Sequence, residues 1–242
     1  MSNETIYCVP RSNAVRYAAG YLSAMGLSVT DAPDGNVTHL LLPVPSFLGG
    51  DDYLAEILAP LSENVTVVGG NLNSLLLKEY QTVDLLQDPY YLAENAAITA
   101  RCALRLVDND LSGAQVLVLG WGRIGKCLGK LLEQAGAEVT IAARKDSDLA
   151  MIQALGYHSI PICKLQAQLY QYDAILNTVP AMVLDQMQCR EDCTILELAS
   201  IPGMAGENII SARGLPGKMA PEESGKLIAE RVKKLILNKE EI

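Results

Sequence analysis

The segment from Gln115 to Arg144 constrains the fold of this chain more than any other part of it. It reads as an apolar run QVLVLG, the glycine-rich turn GWGRIG, an amphipathic stretch KCLGKLLEQAG and a second apolar run AEVTIAA. This order, within about 30 residues, is typical of a βαβ unit with two parallel strands. Parallel strands are covered on both faces of their sheet, so the segment predicts an α/β domain.

The same alternation of short apolar runs and longer amphipathic stretches continues along the chain. Before this unit it predicts strands at 6–9, 27–30, 39–44, 65–69 and 83–86, and helices at 13–25 and 51–58 with a poorer one after 73. After it the pattern predicts a helix at 148–156 and strands at 158–161, 174–179 and 193–199. We therefore expect two Rossmann-like, doubly wound parallel-sheet domains with a cleft between them.

A long helical stretch separates the two sets of strands. The residues DPYYLAENAAITARCALRLV begin with an Asp cap and a proline in the first turn, which favours a crossover helix over 89–108. The second domain is then 89–220. The first is 1–88, completed by a C-terminal helix within 221–242 that carries apolar residues at helical spacing.

Composition excludes several classes of protein. Half of the 242 residues are apolar, and the net charge is -9 without a basic run, so neither disorder nor nucleic-acid binding is expected. No apolar segment reaches membrane-spanning length and the first residues do not resemble a signal peptide, which predicts a cytoplasmic protein. The six cysteines show no metal-ligand spacing, so we expect reduced thiols and no metal site.

The glycine-rich turn predicts a dinucleotide site. Gly120 permits the tight turn, Gly122 lets the backbone approach a pyrophosphate, and Gly125 lets the helix pack closely on the strand. The predicted cofactor-binding segment is Gly120, Trp121, Gly122, Arg123, Ile124 and Gly125.

The end of the following strand indicates which dinucleotide binds. A carboxylate that would hold the ribose 2′-hydroxyl of NAD is absent there, and the residues are Arg144, Lys145 and, after one more position, Ser147. Two cations favour the 2′-phosphate of NADP through charge-assisted hydrogen bonds. NADP is therefore predicted over NAD.

Two later strand ends are expected to approach the same cofactor, because ligands of open α/β sheets lie beyond the carboxyl ends of the strands. The first segment is Asn177-Thr178-Val179-Pro180 and the second is Glu197-Leu198-Ala199-Ser200. From these segments Thr178, Val179, Pro180 and Ala199 are predicted to bind the cofactor.

Three further segments carry a family resemblance. LNTVPAMVL, LELASIPG and ARGLPGKMAPEESG, together with GWGRIG and AAR, resemble the A subunit of dipicolinate synthase. The resemblance is continuous over about 117–235, and the first third of the chain looks shorter than is usual in that family. It implies NADP-dependent oxidation of dihydrodipicolinate to dipicolinate in sporulating bacteria and, as partner, a flavoprotein-like B subunit. It also implies that the cleft contains Ala199, Ser200, 214–218 and Pro221.

One position departs from the family pattern. The crossover helix of that family carries T-A-E-G-A, whereas this chain has Arg101 in place of the acid. The two carboxylates of the implied substrate call for cationic partners, for which Arg101, Lys218 and Arg123 are the candidates. We therefore expect Arg101, Ser200 and Lys218 to be the catalytic residues.

Two alternatives remain open from the sequence. The chain could be a non-catalytic NADP-binding subunit that regulates or assembles a flavoprotein complex. It could also be a related NAD(P)-dependent 2-hydroxyacid or amino-acid dehydrogenase, but a hydroxyacid enzyme needs an acid/base residue, commonly a late histidine, and none follows His158. A homodimer is the base-rate expectation for such a chain.

Overall fold

The computed structural model describes residues 4–46, 51–107, 110–185 and 187–237, and the chain divides into two compact units. The first unit comprises Met1–Asn95 and Pro216–Ile242, and the second comprises Ala96–Leu215. The sequence places the domain limits at 88 and 221, whereas the division falls inside the crossover helix and just after Leu215.

The first unit is built on a parallel sheet of five strands in the order β2-β1-β3-β4-β5. Register partners Tyr7, Leu40 and Val67 on three of these strands are buried in one core cluster with Leu54 and Ile57. The strands are β1 (Thr5–Cys8), β2 (Ser28–Thr30), β3 (His39–Leu41), β4 (Thr66–Gly69) and β5 (Gln81–Asp84), and the helices include α1 (Asn13–Ala24), α2 (Asp51–Leu58) and the C-terminal α7 (Pro221–Leu237). The order reverses between β1 and β3, which is the flavodoxin-like arrangement.

The C-terminal helix α7 packs directly on α1. A Cβ atom at Gly225 would lie 2.5 Å from Cβ of Tyr17 and 2.6 Å from the carbonyl oxygen of Ala14, so only glycine allows this approach. The Tyr21 hydroxyl donates to Glu222 at 3.1 Å across the same pair of helices. The end of the chain therefore completes the first unit.

The second unit contains a parallel sheet of six strands in the order β11-β10-β9-β6-β7-β8. Its strands are β6 (Gln115–Leu119), β7 (Glu138–Ala143), β8 (His158–Pro161), β9 (Ala174–Asn177), β10 (Thr194–Glu197) and β11 (Ile209–Ser211). The helices are α4 (Arg123–Gln134) and α5 (Asp146–Ala154), with α3 (Pro89–Leu104) entering this unit and α6 (Leu215–Met219) leaving it. The order reverses between β6 and β9, as in the dinucleotide-binding Rossmann fold. The predicted fold class, two parallel-sheet α/β domains, is confirmed.

Several element ends differ from the prediction. Helix α3 ends at Leu104 and not near 108, because the amides of Leu106 and Val107 bond to carbonyls three residues back and tighten the last turn. Position 108, and residues 238–242 of the predicted terminal helix, lie outside the described residues. The strand predicted at 39–44 stops at Leu41, since prolines follow at 43 and 45.

The strand predicted at 83–86 lies two residues earlier, as β5. The chain then forms a short 3-10 turn over Leu85–Gln87, in which the side chain of Asp84 accepts from the amide of Leu86 at 2.8 Å. Strand β11 and the short helix α6 were not predicted. In the part of the chain that the structure describes, no helix is long and apolar enough to cross a membrane.

Candidate dinucleotide-binding site

The turn between β6 and α4 depends on Gly120. This residue has φ of +104°, a conformation that L side chains rarely adopt. A Cβ atom there would also lie 2.6 Å from Oγ1 of Thr178 and 2.9 Å from Cγ2 of Val179. The glycine therefore allows both the sharp turn and the close approach of the β9 end.

Gly125 sets how closely α4 begins on this turn. A Cβ atom at Gly125 would overlap the carbonyl oxygen of Gly120, and one at Gly129, a turn further on, would lie 3.2 Å from Cδ1 of Ile141. The helix thus lies tight against the strands, as the third glycine of the motif predicts.

Gly122 is the N-cap of α4 and leaves its first turn open. It supplies no side-chain cap, and a Cβ atom placed on it would meet no atom within 4 Å. The amide of Lys126 makes the first intrahelical bond, to the Gly122 carbonyl at 3.0 Å, so the amides before it have no acceptor within the helix. Open space in front of free amide donors fits the pyrophosphate of a dinucleotide.

Trp121 contributes its backbone to the turn while its ring packs along α4. The indole meets the Tyr157 ring edge-on at 6.2 Å between centroids, and Nζ of Lys126 lies 5.6 Å from the indole. Burial, and then the charge of Glu133, raise the pKa of Tyr157. Arg123 and Ile124 form the first turn of α4, with Arg123 exposed and Ile124 half-buried.

The end of β7 presents two exposed cations. Arg144 follows the strand, Lys145 is the N-cap of α5, and Ser147 is exposed in its first turn. Within the described ranges no hydrogen bond or ion pair involves the side chain of Arg144 or Lys145. Asp146 and Asp148, which the sequence interpretation did not weigh, also lie in that first turn. The cations can meet a 2′-phosphate without first breaking an ion pair.

Thr178 uses its hydroxyl within the protein. Its Oγ1 donates to the carbonyl of Leu119 at 2.8 Å, and its amide donates to the same oxygen at 2.9 Å. These bonds tie the end of β9 to the end of β6 beside the glycine turn. Val179 is half-buried and Pro180 is exposed at the same strand end, and their contacts with a cofactor stay predictions.

Two polar residues begin the strand-end segments that the sequence analysis places near the cofactor, but the sequence interpretation gave them no role of their own. Asn177 ends β9 and Glu197 ends β10, and the two are register partners with 0% and 3% of their surface exposed. Each is a polar residue at the carboxyl end of an otherwise apolar strand, AILN or TILE, and that pattern is the signal that sets them apart.

The three predicted catalytic residues are divided between the two units. Arg101 is exposed in the last turn of α3, and Ser200 is exposed after the buried Ala199, both in the second unit. Lys218 is exposed on α6 and belongs to the first unit. Their catalytic roles stay predictions.

The strand order and the glycine turn define a dinucleotide-binding Rossmann architecture of the kind found in dehydrogenases. In sequence, the chain is 32% identical over 149 residues to the A subunit of dipicolinate synthase from Bacillus subtilis (strain 168), a match that covers 57% of this chain and 50% of that protein. The chain thus spans half the length of this curated relative. No family model matches the sequence.

Solved structures agree on the fold. The A subunit of dipicolinate synthase from Bacillus halodurans superposes with a TM-score of 0.80 at 21% identity, covering 97% of this chain and 98% of that one. Its counterpart from Bacillus subtilis gives 0.79 at 21% identity, over 98% and 97%. A transhydrogenase from Sinorhizobium meliloti gives 0.70 at 14% identity, over 96% and 94%.

The predicted resemblance to the A subunit of dipicolinate synthase is therefore confirmed in sequence and in fold. Both structural alignments cover nearly all of both chains, so the first third of this chain keeps the architecture of its counterparts although its sequence looked short.

Proposed function

We propose that the chain is a cytoplasmic, NADP-dependent dehydrogenase of the dipicolinate synthase type, which oxidises dihydrodipicolinate to dipicolinate. The observation that carries this proposal is the uncapped turn at Gly122, which lies where the order of the second sheet reverses. The cations at the end of β7 and the similarity to the A subunit of dipicolinate synthase support the choice of cofactor and substrate.

Different residues of the second unit would bind different parts of the cofactor. The amides at the start of α4 would bind the pyrophosphate, and Arg144 and Lys145 the 2′-phosphate. The ends of β9 and β10, with Val179, Pro180 and Ala199, would line the nicotinamide half. NADP, when bound, supplies the acceptor for a hydride.

The substrate needs few further groups. Dihydrodipicolinate would lose one hydride to the nicotinamide and one proton to solvent or a base, and the product ring would become aromatic. Because aromaticity drives this loss, positioning matters more than a strong base. Arg101 and Lys218, followed by Arg123, are the candidates to hold the two carboxylates, and Ser200 is the third proposed catalytic residue. The proposed partners are a second copy of this chain and a flavoprotein-like B subunit.

The test is an absorbance assay for NADPH. The purified chain is mixed with NADP and with dihydrodipicolinate generated in place from pyruvate and aspartate semialdehyde, and dipicolinate is identified as product. We expect NADPH to form, and Gly122→Val to abolish its formation while exposed Gly20→Ala on α1, which has no neighbour within 4 Å of a Cβ, does not. Absence of turnover, with and without a B-type flavoprotein, would overturn the proposal.

A specific observation favours a second candidate function. Arg101 replaces the acid that the family resemblance places on this helix, which favours a chain that binds NADP without catalysis and serves to regulate or assemble a flavoprotein complex. NADP binding without turnover, together with turnover gained by Arg101→Glu, would establish this candidate. Turnover by the unmodified chain would exclude it.

A further inference from the structure

A buried carboxylate lies beside the proposed nicotinamide half of the site. Glu197 is 3% exposed at the end of β10, and its register partner Asn177 is fully buried at the end of β9. The described residues offer Glu197 no ion pair. A buried charge is expensive unless hydrogen bonds replace its hydration, so the bonds it makes decide its role.

Glu197 accepts hydrogen bonds from three residues, which lie at the end of β9 and in the loop after β10. Nδ2 of Asn177 donates to both of its oxygens, at 2.9 and 3.0 Å. The amide of Ala199 donates to Oε1 at 3.0 Å, and the amide of Gly203 donates to Oε2 at 2.8 Å. All these donors are neutral, and two of them are backbone groups of the loop that follows β10.

Asn177 extends the network to the loop that follows β9. Its Oδ1 accepts from the amide of Val179 at 2.9 Å, and its Nδ2 donates to the carbonyl of Val179 at 3.1 Å. One amide side chain thus fixes the backbone at Val179 and one carboxylate fixes it at Ala199. These are two of the residues predicted to line the nicotinamide.

Gly203 locks the two loops against each other. A Cβ atom on it would lie 2.5 Å from the carbonyl oxygen of Ala181, 2.6 Å from Nδ2 of Asn177 and 2.8 Å from the carbonyl oxygen of Val179. The Gly203 carbonyl accepts in turn from the amide of Val183 at 2.7 Å. The network therefore joins the ends of β9 and β10, and Arg144 at the end of β7 takes no part in it.

We propose that Glu197 and Asn177 are positioning residues for the nicotinamide half of the dinucleotide site. The inference rests on the proposed function and deepens it. In a fold of this kind each half of the sheet takes one mononucleotide, so the loops after β9 and β10 serve the nicotinamide and those after β6 and β7 the adenosine. The pair touches no reacting atom and acts through the backbone of Val179 and Ala199.

The test compares two probes by calorimetry. NADP needs both halves of the site, whereas adenosine 2′,5′-bisphosphate needs only the adenosine half. Glu197→Gln keeps the size and shape of the side chain. It replaces Oε2, which accepts from Asn177 and from the amide of Gly203, with an NH2 group that cannot accept from them. We expect its NADP affinity to fall roughly tenfold or more, since two charge-assisted bonds are lost. The affinity for the bisphosphate should stay within about twofold.

Controls keep the outcomes distinct. Glu207→Gln removes a charge from an exposed position of the same unit and should change neither affinity. Asn177→Ser, which removes the amide donor and leaves Glu197 unchanged, replaces Glu197→Gln if the latter does not fold. In the turnover assay either variant should lower kcat more than it raises KM for dihydrodipicolinate.

Three results would overturn the inference. The folded variants could lose affinity for NADP and for the bisphosphate equally, they could keep both affinities unchanged, or both variants could fail to fold. If the unmodified chain binds neither probe, the proposed function itself falls, and the inference falls with it.

Discussion

The two units differ in how the helix after their first strand is capped at its N-terminus. In each, the first strand of the sheet leads through a turn into a helix and a second parallel strand. In the first unit Ser12 caps α1, and its hydroxyl accepts from the amide of Val15 at 3.2 Å. In the second unit Gly122 caps α4 and offers no side chain. In α1 the Ser12 side chain therefore satisfies one of the free amides of the first turn. In α4 no side chain does so, and the first-turn amides are available to a ligand.

The strand that follows each helix shows the same contrast in charge. Asp31 follows β2, beside a pocket of about 570 Å³ that Cys8 and Arg16 also line, whereas Arg144 follows β7. Parallel topology alone therefore does not make an anion site. The residue at the N-cap and the charge at the next strand end decide it, and both favour a phosphorylated ligand only in the second unit.

The largest effect is expected at Gly125. Gly125→Ala should lower the free energy of unfolding by about 3 kcal/mol and abolish NADP binding, because the added Cβ overlaps the backbone of Gly120. The matched control is Gly20→Ala in α1, where nothing lies within 4 Å of the added atom. The control should raise stability by about 0.5 to 1 kcal/mol. Chemical denaturation measures both, and equal effects would contradict the close packing of α4.

Gly122→Ser converts the second turn into a copy of the first. The new side chain has room, so the melting temperature should stay or rise, while the Kd for NADP should rise about a hundredfold because the hydroxyl occupies the phosphate donors. The reciprocal Ser12→Gly should gain no nucleotide binding. Calorimetry and thermal melting measure these effects, and unchanged NADP affinity in Gly122→Ser would mean that the open cap is not the binding site.

A smaller effect is expected at the charged strand end. Arg144→Ala should weaken NADP binding about tenfold through loss of a charge-assisted hydrogen bond, and should change NAD binding less than about twofold. Lys164→Ala, an exposed cation of the same unit, is the control and should change neither. Competition titrations with the two nucleotides check this. Equal losses for NAD and NADP would remove the argument for NADP.

The smallest effect concerns thiols in the two units. Burial raises the pKa of Cys8 in β1 to about 12, and burial followed by the neighbouring Cys189 does the same for Cys193 in the second unit. Their thiolate fractions, and so their alkylation rates, should keep rising with pH up to about that value. Exposed Cys163 should react first at neutral pH. Mass spectrometry after timed alkylation measures the order, and early labelling of Cys8 would mean that the first unit opens.

The sequence predicted features that are local in the chain. The glycines of the β6–α4 turn, the cations after β7 and the parallel class all follow from neighbouring residues and their spacing. It did not predict the network of Asn177 and Glu197, because those residues are 20 positions apart and meet only once β9 and β10 pair in register. Nor did it predict the bond between the Thr178 hydroxyl and the Leu119 carbonyl, which joins residues 59 positions apart.

The central claim is that the uncapped turn at Gly122 binds NADP, and the only tryptophan of the chain, Trp121, reports on that turn directly. The measurement is a titration of the unmodified chain with NADPH and with NADH, followed by tryptophan fluorescence. We predict saturable quenching with energy transfer to NADPH, weaker binding of NADH, and a Kd for NADPH that rises about a hundredfold in Gly122→Ser. The absence of saturable quenching by either nucleotide, or an unchanged Kd for NADPH in Gly122→Ser, would contradict the account.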